Sequence, residues 1–277
     1  MQFYKYHGLG NDYLVYDRNK NKDILKREDV VKICDRNFGL GSDGILAGPY
    51  EVDGKIAVKI FNPDGSEAEK SGNGVRIFAK FLKDAGYVTT DEFVLHTLGG
   101  DVFVKYNNAT GTNVTVSMGT LDFSKEAIGA IHVPDEVVNE KLMFDNTVYN
   151  CTCVSIGNPH CVIPMEEISK EKVCEIGKYS EIAPYFPNRI NTQIVKILDW
   201  HNIQIEIYER GAGYTLASGS SSCAAAGATV RLGMTKSPVH VHMPGGVLHI
   251  EIDASYHVCM TGEVEYIGKM EIFEEFQ

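Results

Sequence analysis

No apolar run in this sequence approaches the 18 or more residues that a membrane helix needs. The first residues, MQFYKYHGLGNDY, lack the basic n-region and apolar h-region of a signal peptide. Basic residues are in deficit: 26 Lys and Arg stand against 37 Asp and Glu, a net charge of −11. Such a chain repels a phosphate backbone, so nucleic acid is not an expected partner. A disulfide framework is also missing, because Cys34, Cys151, Cys153, Cys161, Cys174, Cys223 and Cys259 are odd in number and irregularly spaced. No CxxC or HxxxH pair follows Cys151, Cys153, His160 and Cys161, so no metal is expected there. His240 and His242 in HVHM alternate as one face of a strand does. Together these absences lead us to expect a soluble, cytoplasmic protein with no membrane partner. What is present is ordinary: 44% hydrophobic and 23% charged residues, which excludes disorder, collagen and coiled coil. The 277 residues suffice for one large domain or two of usual size.

The chain repeats itself. At an offset of 147 residues Gly10-Asn11 falls on Gly157-Asn158, Ser71-Gly72 on Ser218-Gly219, and Gly86 on Gly233. HTLGG at 96–100 falls on HMPGG at 242–246 at an offset of 146. A sustained series predicts two structurally similar halves. In the first half, IAVKIF (56–61) alternates as a strand and NPDGS (62–66) reads as a turn. GVRIFAKFLKDAG (74–86) carries apolar residues at helical spacing and ends in Gly. In the second half, IQIEIYE (203–209) is a strand, RGAG a turn, and CAAAGATVRLG (223–233) a small-residue helix closed by Gly. Short alternating segments such as DVFVKY and NVTVSM fill the rest. The expected class is α+β, with two pseudo-symmetric lobes, each a mixed β-sheet wrapped around a central helix. The expected limits are 1–120 for the first lobe, with 264–277 crossing back to it, and 121–263 for the second.

Each half presents Ser-Gly and small residues before its helix. A helix start offers unpaired N–H groups and partial positive charge, which attract a carboxylate. Duplication predicts two such starts facing one small carboxylate, with Ser71 and Ser218 approaching from opposite sides. Racemisation and epimerisation need one group on each face of a carbon. Taken singly, each serine is an ordinary N-cap.

Several motifs carry a family resemblance. HGLGND at 7–12, FNPDGSEAEKSGNGVR at 61–76, SIGNPH at 155–160, NRINTQ at 188–193 and ERGAGYTLASGSSSCAAA at 209–226 resemble diaminopimelate epimerase over essentially the whole chain. The resemblance implies two pseudo-symmetric lobes and no pyridoxal phosphate or other cofactor. It implies interconversion of LL- and meso-diaminopimelate in lysine and peptidoglycan-precursor synthesis. A pair of cysteines serves that family as base and acid, one on each face of the α-carbon.

By the same resemblance, Asn62, Asn158, Asn191 and Arg210 grip the distal carboxylate, and the carbonyls of Glu209 and Arg210 take the distal ammonium. Arg supplies a bidentate fork and Asn further donors. Asn11 and the N–H groups of Gly72, Asn73, Gly219 and Ser220 hold the reacting end. His160 and Glu209 tune the catalytic pair. A homodimer is one assembly left open.

The catalytic positions depart from that pattern. Both family cysteines are serine here, Ser71 and Ser218, and Cys223 lies a helical turn further on. A thiol has a pKa of about 8.5 and falls further at a helix N-terminus. Water, a rough stand-in for an alcohol, has a pKa of about 15.7. The gap of about 7 units is roughly 10 kcal/mol. A stronger base recovers part of it, but a large deficit remains. Engineered and natural origins of the serines both stay open. Tyr214 stands where many members carry Glu, and Gly44 where some carry Gln. Two other functions also remain open: a racemase of another amino acid, or a catalytically silent amino-acid binder.

Overall fold

The computed structural model describes residues 1–273, so residues 274–277 of the expected returning segment lie outside the described residues. The chain runs β1 (Gln2–Gly8), β2 (Asn11–Asp17), α1 (Arg27–Cys34), β3 (Ile45–Val52), β4 (Lys55–Phe61), β5 (Glu67–Ala68) and α2 (Gly72–Asp84). β6 (Glu92–Thr97), β7 (Gly100–Tyr106), β8 (Asn113–Thr120), α3 (Lys125–Ile128), β9 (Glu140–Phe144), β10 (Thr147–Ser155) and β11 (Pro159–Pro164) follow. Next come α4 (Lys170–Ser180), β12 (Asn191–Asp199), β13 (Asn202–Glu209), β14 (Gly213–Thr215) and α5 (Gly219–Arg231). The chain closes with β15 (Val239–Met243), β16 (Gly246–Ile252), β17 (His257–Glu263) and β18 (Glu265–Glu271). The described residues form two compact units, residues 1–117 with 261–273 and residues 118–260. The class is α+β: mixed sheets with few helices.

In the first unit β1 lies between β18 and β2, antiparallel to both. β2 pairs with β3 in parallel, and β3 with β4 antiparallel. β4 continues antiparallel to β5 and parallel to β6, and the β6–β7 and β7–β8 pairs are antiparallel. The second unit repeats the scheme. β10–β11 is antiparallel, β11–β12 parallel, and β12–β13 and β13–β14 antiparallel. β13–β15 is parallel and β15–β16 antiparallel. The same senses therefore recur in the same order, with the helix inserted at the same step: α2 after β5, α5 after β14. The returning strand β18 joins the first unit through Gln2 opposite Glu271.

Both central helices are buried almost throughout. Residues 73–82 of α2 bury Val75, Ile77, Phe78, Phe81 and Leu82 against the strands. α5 is small-residue instead, with Cys223, Ala224, Ala225, Ala226 and Ala228 fully buried. Gly227 lets the helix sit closely, since a Cβ there meets the Leu121 side chain. Both helices begin earlier than the apolar spacing predicts, at Gly72 and Gly219 rather than 74 and 223. Gly and Ser are weak helix formers, yet the capping serine fixes where the helix begins. At the other end Gly86 and Gly233 take left-handed φ values of 75° and 70°, as C-terminal glycines do.

The HTLGG and HMPGG segments are hairpin turns, closed by Thr97 opposite Gly100 and by Met243 opposite Gly246. Cys151, Cys153 and Cys161 pack with Val173, Ile176 and Ile194 in the core of the second unit. Among the described residues no helix is long and apolar enough to cross a membrane.

Candidate active site

In the first unit the candidate site is the start of α2. Ser71 is extended at φ −139°, ψ 117°, and its Oγ accepts the Gly74 N–H at 3.0 Å. The first turn of α2 holds no acidic residue. No side-chain charge there cancels the positive end of the helix, so an anion is favoured. Around it runs a chain of directed hydrogen bonds. Arg76, fully buried on α2, donates from Nη2 to Asn73 Oδ1 at 2.8 Å. Asn73 Nδ2 donates to Asn11 Oδ1 at 3.0 Å, and Asn11 Nδ2 donates to Asp43 Oδ2 at 2.8 Å. Asp43 in turn accepts from Arg36 Nη2 at 2.7 Å. A guanidinium at each end fixes which way both amides point. An amide nitrogen has two hydrogens, so Asn11 can serve Asp43 and still offer one to a ligand.

Asn62 has a different local role. Its Nδ2 donates to Ser66 Oγ at 3.0 Å and its backbone N–H to the Ser66 carbonyl at 2.8 Å. Both bonds close the NPDGS turn.

In the second unit α5 begins the same way. Ser218 is extended at φ −148°, ψ 127°, buried, and its Oγ accepts the Ser221 N–H at 3.4 Å. This first turn also lacks an acidic residue. Asn158 Nδ2 donates to Ser220 Oγ at 3.4 Å, and Asn158 Oδ1 lies 3.0 Å from His160 Nε2. An amide oxygen only accepts, so Nε2 carries the imidazole proton. Asn191 links two strand ends: its Nδ2 donates to the Pro159 carbonyl at 2.8 Å, and its Oδ1 accepts the Arg210 N–H at 3.1 Å. Arg210 has an exposed side chain whose Nη1 donates to the Asn188 carbonyl at 3.1 Å. Glu209 ends β13 beside it. Glu181 holds the following turn by accepting the Gly211 N–H at 2.8 Å. Tyr214 donates to Glu206 Oε2 at 2.8 Å; burial and that carboxylate push its phenol up to about 12.

His160 is fully buried, and burial pulls its pKa down to about 3, against Gln193 beside it, which raises it. Arg210 adds a smaller push downward. Burial therefore favours the neutral ring at neutral pH. The folded pKa lies below the unfolded value of about 6.5. The unfolded state thus binds the extra proton between about pH 6.5 and 3, and stability falls as pH falls through that window. His160→Gln removes this one-proton dependence. Urea midpoints measured from pH 7 to 4 are expected to slope less in the variant than in the parent, by up to about 1.4 kcal/mol per pH unit. Parallel slopes would contradict the buried, neutral ring.

Sequence alone points to the Asn residues and the serines but not to Tyr13, Asp43, Arg76, Gln193 and Glu181. The Tyr13 hydroxyl lies 3.2 Å from Ser71 Oγ, and Gln193 Nε2 donates to Ser221 Oγ at 3.1 Å. Tyr13 does leave a signal, since the 147-residue offset sets it on His160.

The diaminopimelate epimerase family model matches residues 3–124 and 152–267. The chain belongs to the diaminopimelate epimerase family. A relative named diaminopimelate epimerase 2, from Nostoc sp., is 48% identical over 99% of this chain and 96% of its own length. A diaminopimelate epimerase of Pelotomaculum thermopropionicum is 38% identical over 96% of this chain and 97% of its own. In fold, the chain is similar to a hydroxyproline epimerase from Agrobacterium vitis, with a TM-score of 0.71 and 12% identity over 98% and 90% of the two chains. It is also similar to a probable proline racemase from Agrobacterium radiobacter, with a TM-score of 0.69 and 14% identity over 99% and 93%. Membership of the diaminopimelate epimerase family makes the chain an amino-acid epimerase by class.

Proposed function

We propose that this protein interconverts LL- and meso-diaminopimelate without a cofactor, in the cytoplasmic synthesis of lysine and peptidoglycan precursors. The observation that carries the reading is the duplicated helix start, each with a serine N-cap and no acidic residue in its first turn. Diaminopimelate has two amino-acid ends, so it needs one grip for the reacting carboxylate and another for the distal end. The N–H groups of Gly72, Asn73, Gly219 and Ser220, with Asn11, serve the reacting end. Arg210, Asn158, Asn191 and Asn62 serve the distal carboxylate, and the carbonyls of Glu209 and Arg210 the distal ammonium. Ser71 and Ser218 exchange the α-proton, one on each face. His160 and Glu209 adjust them. With hydroxyls in place of thiols, turnover is slow.

A second reading has its own support. Both serine oxygens already accept a cap hydrogen bond, which suits a protein that binds an amino acid without turning it over. Calorimetric titration tests what the two readings share. The expected result is binding of LL- or meso-diaminopimelate to cofactor-free protein. Binding of an unrelated amino acid, with neither isomer bound, overturns the substrate assignment.

A further inference from the structure

Glu181 caps the C-terminal end of α4, where its backbone N–H donates to the Gly177 carbonyl at 2.9 Å. An acid is disfavoured there, because it meets the negative end of the helix dipole. Glu181 is also buried, at 8% exposed, and a buried carboxylate needs partners. They come from two separate segments. Its Oε1 accepts the Gly211 N–H at 2.8 Å and a hydrogen bond from Arg189 Nη1 at 3.2 Å. One oxygen therefore ties the turn after β13 to the segment before β12.

Both segments bear on Arg210. Gly211 follows it directly in the chain. Arg189 lies in the left-handed region at φ 61°, which is uncommon for a residue with a side chain. It is held from two directions, by the ion pair with Glu181 and by its own N–H, which donates to the Phe186 carbonyl at 2.9 Å. The residue before it, Asn188, presents the carbonyl that accepts Arg210 Nη1 at 3.1 Å. That carbonyl is neutral, so the contact aims the guanidinium without cancelling its charge. Arg189 meanwhile balances the charge of Glu181, an acid that sits against the turn carrying Arg210.

We propose that Glu181 is a positioning residue for Arg210, acting with Arg189 to hold the guanidinium ready for a second carboxylate. The inference rests on the reading of Arg210 as the distal grip. A guanidinium set in place beforehand does not have to be ordered when the ligand arrives, and such ordering costs affinity. The gain is confined to what Arg210 contacts, so Glu181 acts on affinity only while Arg210 is present.

The test is calorimetric titration with diaminopimelate of the parent, Glu181→Gln, Arg189→Ala and Arg210→Ala, and of each of the first two changes combined with Arg210→Ala. Gln keeps an acceptor for the Gly211 N–H but gives up the charge that holds Arg189. Arg189→Ala removes the same ion pair from its exposed end. Each of these two singles should weaken binding about tenfold. In the Arg210→Ala background each should change affinity less than twofold, because nothing is left to position. Equal losses in both backgrounds overturn the proposal and leave Glu181 a structural residue of the turn. Unchanged affinity in either single overturns it as well. Should Glu181→Gln melt below the titration temperature, Arg189→Ala carries the same comparison. A parent that binds neither isomer, or an Arg210→Ala form that binds as the parent does, removes the distal grip itself and the positioning role with it.

Discussion

Replacing Ser71 and Ser218 together by Cys should raise the epimerisation rate by several orders of magnitude. Each residue caps a helix whose first turn has no acidic side chain. A thiol at such a start is biased toward thiolate, and its pKa lies about 7 units below the alcohol stand-in. Each single replacement should stay poor, because a two-base reaction needs a competent group on both faces. One thiol still removes a proton from its own side and allows solvent exchange. The pattern is strong non-additivity, as for residues that act as a unit. The double variant also loses two serine caps, each worth about 0.5–2 kcal/mol, so it should melt lower while turning over faster. Turnover of LL-diaminopimelate is measured for the parent, both singles and the double. A parent as fast as the double would show that serine suffices. A double that binds substrate but stays inactive would show that the two positions do not reach the reacting carbon.

Arg210→Ala should weaken diaminopimelate binding by about 30- to 1000-fold, the equivalent of about 2–4 kcal/mol for a lost charge-assisted contact. The fold should survive. The Arg210 backbone N–H still reaches Asn191 Oδ1, and Glu181 still holds the Gly211 N–H, so the turn keeps its anchors. The exposed guanidinium gives up only its bond to the Asn188 carbonyl. Calorimetry on the parent and the variant checks it, with melting temperature as the control. Unchanged affinity would make Arg210 an ordinary surface charge.

Much of the fold was legible because it is periodic. The spacing of Val75, Phe78, Ala79 and Leu82 gives α2, and Gly86 and Gly233 give its end and that of α5. The internal repeat gives the duplicated strand order. Helix starts were less legible, since Gly72-Asn73 and Gly219-Ser220 have loop composition and become helical only under their serine caps. In the site, motif residues were visible but their partners were not. Asp43 reaches Asn11 because β2 and β3 pair in parallel, and no local pattern announces that register. Asn62 shows the opposite difficulty: an asparagine in a turn looks the same whether it serves the turn or a ligand. Arg76 is fully buried on α2 and donates to Asn73, which helical spacing alone does not show.

The central claim is that this chain epimerises diaminopimelate with its own side chains. Proton NMR of LL-diaminopimelate, incubated with cofactor-free protein in deuterated water, tests it most directly. The expected result is slow appearance of the meso isomer with deuterium at the inverted α-carbon. Unchanged LL-diaminopimelate under conditions where the protein racemises another amino acid, or where the double Cys form is equally inert, would contradict it.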